Sequence, residues 1–211
     1  GMAVCCRYLA EMLRVAGREA EASKFDELAD ALKRRLDELA WNGEFYTHMI
    51  PENPDAQRDL GDTPTDRQVT ISNAYALNRR IDHDQCVAIL RSYQRIRQEM
   101  PETSPGEWYN CYPPFEKGFR FMWDYMNGGV SPICAGELAH GAFEHGFEDY
   151  GVDILERILA LAERHDRYLP GCFKGKVETE APPTHFACLD LQGANGKIRE
   201  PGGLGIASLP T

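Results

Sequence analysis

Apolar residues recur at intervals of three and four through most of the first 170 positions, the period of amphipathic helices. Leu9, Met12, Leu13 and Ala16 predict a helix over residues 3–16, and Gly17 ends it. Phe25, Leu28, Ala29, Leu32, Leu36 and Leu39 predict a second, core-facing helix over residues 19–39. A third is expected at about 67–80. A fourth, capped by Asp82, carries apolar Val87, Ile89, Leu90, Tyr93 and Ile96 and is stopped by Pro101. A fifth is expected at about 133–146, after Asn127-Gly128-Gly129 and Pro132. A sixth, starting at Asp149 or Gly151, turns Ile154, Leu155, Ile158, Leu161 and Ala162 inward.

The connections alternate in character. The links at Gly17, near Asp82 and near Gly146 are short and make antiparallel helical hairpins. Between them lie long segments. Trp41-Asn42-Gly43-Glu44-Phe45-Tyr46 leaves the second helix through an Asn-Gly turn, and residues 50–66 form a polar loop of aspartates and prolines. Residues 101–132 hold Trp108, Tyr109, Tyr112, Phe115, Trp123 and Tyr125, too aromatic for disorder. Strands are expected at 168–175 and 185–191, within a loop-rich tail. The fold class is therefore all-α: antiparallel helical hairpins in a partial (α/α) toroid, with long aromatic loops and a loop-rich C-terminal tail, over a single domain of residues 3–211.

Net charge is -10 and no basic run occurs, which argues against a nucleic-acid partner. No stretch is long and apolar enough for a membrane span. The seven cysteines, an odd number without a C-x-x-C pair, read as buried free thiols, and with no signal peptide they point to a cytoplasmic location. No metal site is expected. Glu137-x-x-His140 is half of a di-iron motif whose second half is missing, the aspartates of 55–66 do not follow a calcium-loop spacing, and no cofactor is implied.

Paired carboxylates among aromatic rings suit glycoside hydrolysis, which needs one protonated and one ionised group across the scissile bond. Glu107, beside Trp108-Tyr109, and Asp124, between Trp123 and Tyr125, are candidate acids; Glu137, in the first turns of a helix, is a candidate base. The competing reading is a solvated loop carboxylate or a structural cap. Trp41, Phe45, Tyr46, Trp108, Tyr109, Tyr112, Trp123 and Tyr125 offer flat faces for sugar stacking, most of them expected to close loops over the core instead. Asn127 with two following glycines is turn chemistry first, with close backbone approach to a substrate as the functional alternative.

The order of these segments resembles a known superfamily. The Leu39-Ala40-Trp41-Asn42-Gly43-Glu44-Phe45-Tyr46 passage and Trp123-Asp124-Tyr125-Met126-Asn127-Gly128-Gly129, with its following helix, resemble the six-hairpin (α/α)6-toroid glycoside hydrolases over residues 3–170. The resemblance implies a carbohydrate ligand, acid–base carboxylates at Glu137, Asp124 and Glu107, and sugar contacts at Trp41, Tyr46, Trp108, Tyr109, Trp123 and Asn127. A full toroid has twice the hairpins expected here, so the resemblance covers its C-terminal portion and implies that residues 3–211 are the C-terminal half of a larger catalytic domain, with a homo-oligomer or a missing N-terminal half as the expected partner. Two alternatives stay open: a sugar epimerase or phosphorylase on the same scaffold, the former working through His83, His140 or His145, and a non-catalytic glycan-binding or assembly fragment.

Overall fold

The computed structural model describes residues 1–50, 52–53, 61–118 and 122–176. Six α-helices and one two-stranded sheet are present among them. The strand expected at 185–191 and most of the loop-rich tail lie outside the described residues. No described helix is long and apolar enough to cross a membrane.

Helices α1 (Met2–Val15) and α2 (Glu19–Ala40) form the first hairpin, turned at Gly17 with φ +72°. They meet through Ala10, Leu13 and Ala22, against which Phe25 packs. Arg7 and Arg14 of α1 reach across to Asp26, and Arg7 also to Asp30. The buried line of α2 is Ala22, Ala29 and Ala40, whereas Leu28, Leu36 and Leu39, expected in the core, are 44–46% exposed. Small side chains let two helix backbones approach closely, so alanines take the contact and the leucines face outward. Periodicity locates an apolar stripe without saying which neighbour covers it. Leu9 and Met12 of α1, and Leu155 further along the chain, are likewise exposed.

The second hairpin is α3 (Ile71–Leu77) and α4 (His83–Glu99). The third helix is shorter than the expected 67–80. Residues Thr65–Arg67 make one 3-10 turn, and β1 (Val69–Thr70) pairs antiparallel with β2 (Cys111–Tyr112), so their backbone groups are committed to a ladder. Asp82 opens α4 with a capping box to Gln85. The third hairpin is α5 (Pro132–Glu144), with proline in its first turn, and α6 (Glu148–Arg164). In place of the strand expected at 168–175, Phe173 makes a single antiparallel bridge to Val130.

Helix α3 packs on α4 and α5, and α5 on α6. A Cβ added to Gly141 of α5 would lie 2.6 Å from Leu77 of α3, so this glycine sets their close approach. The largest core cluster joins α3, α4, α5 and α6 to the aromatic loops through Leu77, Ile89, Tyr93, Trp108, Leu138, Ile154 and Phe173.

The short turns meet one another. Arg80 pairs with Glu11 at 3.0 Å, and His83 Nδ1 lies 2.9 Å from His145 Nδ1. The long loops likewise meet at the other helix ends. β1 pairs with β2, Tyr109 bridges Val130, the Ser131 amide donates to the Trp108 carbonyl, and Gly175 donates to the Trp123 carbonyl. Ring-bearing segments from all three hairpins thus gather together.

Candidate functional site

The site starts at the Trp41–Tyr46 turn. Asn42 Oδ1 accepts from the Glu44 and Phe45 amides at 3.0 and 2.9 Å, an Asx turn that folds the segment back so that Trp41 bridges Tyr46. Asn73, fully buried on α3, grips the turn from below: its side chain accepts from the Tyr46 amide and donates to the Tyr46 carbonyl, at 2.8 and 3.0 Å. Tyr46 hydroxyl donates to Asp37 of α2 at 2.7 Å. Burial disfavours ionisation of Asp37, but hydrogen bonds from Lys33, Tyr46 and Gln85 outweigh it and hold its carboxyl below the usual aspartate range.

That shift has a testable sign. A carboxyl depressed on folding contributes stability that is fully present above its unfolded pKa, about 3.9, and lost as pH falls through the lower folded value. The stability gap between wild type and Asp37→Asn is therefore expected to stay constant from neutral pH to about 5 and to shrink below about 4. Urea titrations at several pH values check this; a gap that narrows already at neutral pH would contradict it.

Beside the turn lies a cleft of about 660 Å³. It is lined by Asn42, Glu44 and Phe45 from the turn, by Asp66, Arg67 and Val69, by Arg95, Ile96 and Glu99 of α4, and by Tyr112 and Pro113. Glu44 and Arg95 pair at 2.8 Å. Asn42 donates to the Asp66 carbonyl at 2.9 Å and so ties the turn to the next loop.

Tyr112 belongs also to a three-ring cluster. Its centroid is 4.8 Å from that of Tyr109 and 6.2 Å from that of Trp123, with Tyr109 and Trp123 6.1 Å apart. Tyr109 is buried, whereas Tyr112 and Trp123 are half-buried and keep ring surface open to solvent. Trp123 and Tyr125 both have left-handed backbones, φ +64° and +42°, costly for bulky side chains. Backbone strain of this kind concentrates at ligand sites. Asn127 supports the segment from within, exchanging two hydrogen bonds with the Phe115 backbone at 2.6 and 2.9 Å.

The three candidate carboxylates do not line this cleft. Glu107 has no exposed surface: it accepts from both terminal nitrogens of Arg157 at 2.7 and 2.9 Å, and from the Tyr150 hydroxyl at 2.6 Å. Asp124 is 8% exposed and its side chain accepts from the Tyr125 amide at 2.9 Å, which places it in the turn. Glu137 accepts from Asn78 Nδ2 at 2.6 Å and lies 3.7 Å from Arg79, with its side chain 23% exposed. Of the candidate sugar contacts, Tyr46, Trp108, Tyr109 and Asn127 are buried, and Trp41 and Trp123 retain exposed surface.

Of the cleft residues, Tyr112 stands among the candidate stacking rings, whereas Asp66 reads as part of a solvated acidic loop and nothing in the spacing singles out Arg95 or Glu99. Among the described residues no group of three or more His, Cys, Asp or Glu side chains is placed to hold a metal ion. Burial pushes the thiols of Cys111 and Cys134 up to about 12, far from a nucleophile's range.

With this geometry in hand, comparison with known proteins finds no family model that matches the chain and no curated protein detectably similar to it.

Proposed function

We propose that this chain is a carbohydrate-active domain of the toroid glycoside-hydrolase type, and that a sugar lies in the cleft against Tyr112. The observation that carries this reading is a partly exposed ring bordered by Asn42, Asp66, Arg67 and Glu99 in one concavity. The apolar face of a pyranose stacks on such a ring, while amide, carboxylate and guanidinium groups bond its hydroxyls. Three hairpins with alternating short and long connections support the toroid-like arrangement.

Hydrolysis needs two carboxyls at the bond to be broken. Glu107, held by Arg157 and closed to solvent, suits a post for the loop better than an acid for a sugar. Glu137 and Asp124 also stand outside the cleft lining, so hydrolysis in the cleft falls to its own carboxyls Asp66 and Glu99, Glu44 being held by Arg95. A second reading, glycan binding without catalysis, is favoured by the capture of Glu107 and by the absence of all three carboxylates from the cleft lining. Epimerase chemistry is less well supported, because His83 and His145 pair at the short-turn end, away from the rings.

A panel of oligosaccharides tested by calorimetry and by hydrolysis decides among these. The expected result is binding that Tyr112→Ala or Glu99→Gln weakens at least about tenfold, the order of one lost stacking or charged hydrogen-bonding contact. Hydrolysis by wild type that Asp66→Asn or Glu99→Gln abolishes marks an enzyme. Turnover that requires inorganic phosphate marks a phosphorylase. Binding without turnover leaves the second reading. Absence of both overturns the proposal.

A further inference from the structure

The short-turn ends of the second and third hairpins meet through two imidazoles. His83 opens α4, and His145 directly follows the last residue of α5. Though 62 positions apart in sequence, the rings bring Nδ1 to 2.9 Å from Nδ1, with centroids 5.1 Å apart. His83 is exposed and His145 half-buried. Neither side chain has another hydrogen-bond or ion-pair partner among the described residues. Two nitrogen lone pairs this close repel unless something electropositive lies between them. A shared proton serves if one ring carries its hydrogen on Nδ1. A metal ion serves both rings at once, because neutral imidazole is a metal ligand through either nitrogen.

We propose that His83 and His145 form a binding site for a divalent transition-metal ion of the copper, nickel and zinc class. Imidazole nitrogen is a ligand that all three accept, and the distance selects among them. Two nitrogens held about 2.0–2.1 Å from a metal at a right angle stand about 2.9 Å apart, against about 3.3 Å at the tetrahedral angle. The observed separation is the right-angle one, so the pair suits the tetragonal ions copper(II) and nickel(II) ahead of zinc. Among the described residues no third His, Cys, Asp or Glu joins the two, so water completes the coordination. With a net charge of -10 the chain draws cations toward it. A surface site with two protein ligands loads and empties with the metal supply. Loaded, it ties the start of α4 to the end of α5, and with them the second hairpin to the third. Neither histidine lines the Tyr112 cleft, so the inference does not depend on the carbohydrate reading.

Isothermal titration of the whole chain, without an affinity tag, tests it at about pH 8, where ordinary imidazole is neutral. The expected result is binding of nickel(II) and tighter binding of copper(II), with magnesium silent. His83→Ala and His145→Ala should each weaken nickel binding at least about tenfold. Circular dichroism should stay unchanged in both, since neither ring belongs to the core. His140→Ala, which removes an exposed histidine of α5 near Glu144, should leave nickel binding as it was. Nickel should raise the melting temperature of wild type and of neither paired-histidine variant. The paramagnetic resonance spectrum of bound copper(II) should show coupling to two nitrogens. No nickel binding at up to about 1 mM overturns the proposal and leaves the contact a hydrogen bond alone. So does binding that both variants keep, which places the ion elsewhere in the chain, and so does a copper spectrum with sulfur or with a single nitrogen.

Discussion

Arg157→Ala is expected to cost about 3–5 kcal/mol of unfolding free energy, the largest loss of any single side-chain truncation considered for this protein. The guanidinium binds Glu107 through two parallel hydrogen bonds at 2.7 and 2.9 Å and reaches Asp153 at 2.7 Å. It also lies 4.8 Å from the Trp108 ring centroid, in cation–π range. Its removal leaves a carboxylate with no exposed surface facing only the Tyr150 hydroxyl. A buried charge stripped of its partner keeps the whole cost of desolvation and loses the attraction that offset it. Replacing both partners, as in Glu107→Leu with Arg157→Met, should recover most of the loss because no charge is then buried. Arg157→Lys should recover little, since an ammonium cannot make the paired bonds. Urea unfolding of these variants measures the effect. The same series distinguishes two roles for Glu107. A structural role predicts that Glu107→Gln loses stability; a role in catalysis alone predicts lost turnover in a protein as stable as wild type.

Gly129→Ala is expected to destabilise by about 3 kcal/mol, at the upper end of overpacking effects. A Cβ there would collide with Cys172 Sγ and the Tyr125 carbonyl, and would lie 2.6 Å from the Tyr125 amide nitrogen. Two of those three atoms are backbone, which cannot swing aside as a long side chain can. The Gly129 carbonyl also accepts from the Asn110 amide at 2.7 Å, so shifting this residue pulls on the strand segment that ends at Tyr112. Loss of the three-ring arrangement should follow, seen as a change in near-ultraviolet circular dichroism from Trp123 and its neighbours alongside the lowered melting temperature. Gly136→Ala is the control: space around it is open, and alanine is the better helix former. It should be neutral or slightly stabilising. Equal tolerance of both substitutions would mean that the Asn127-Gly128-Gly129 turn is not packed as described.

The helices were legible because their causes are local. Asp82 with Gln85, Pro132 and Gly17 each act within one turn, and the observed ends fall within a few residues of those signals. The third helix was the exception. Val69 and Thr70 are claimed by pairing with Cys111 and Tyr112, about forty positions later, and no period within a window of residues carries that information. The candidate site divided the same way. The ring-rich segments could be seen to matter, and the structure brings them together from all three hairpins. Which of them stay open to solvent could not be seen, because burial depends on what the rest of the chain lays over each ring.

What the sequence determined by itself is a helical chain with alternating short and long links, a net charge of -10, and an Asn-Gly-Gly turn signal ahead of a proline-started helix. Tertiary structure alone decided that Glu107 would meet Arg157, that Tyr112 and Glu99 would border one cleft, and that alanines, not leucines, would take the inner face of α2. Local preferences select conformation one turn at a time, but contacts across fifty residues depend on how completed elements fit together, and only the folded chain carries out that fit.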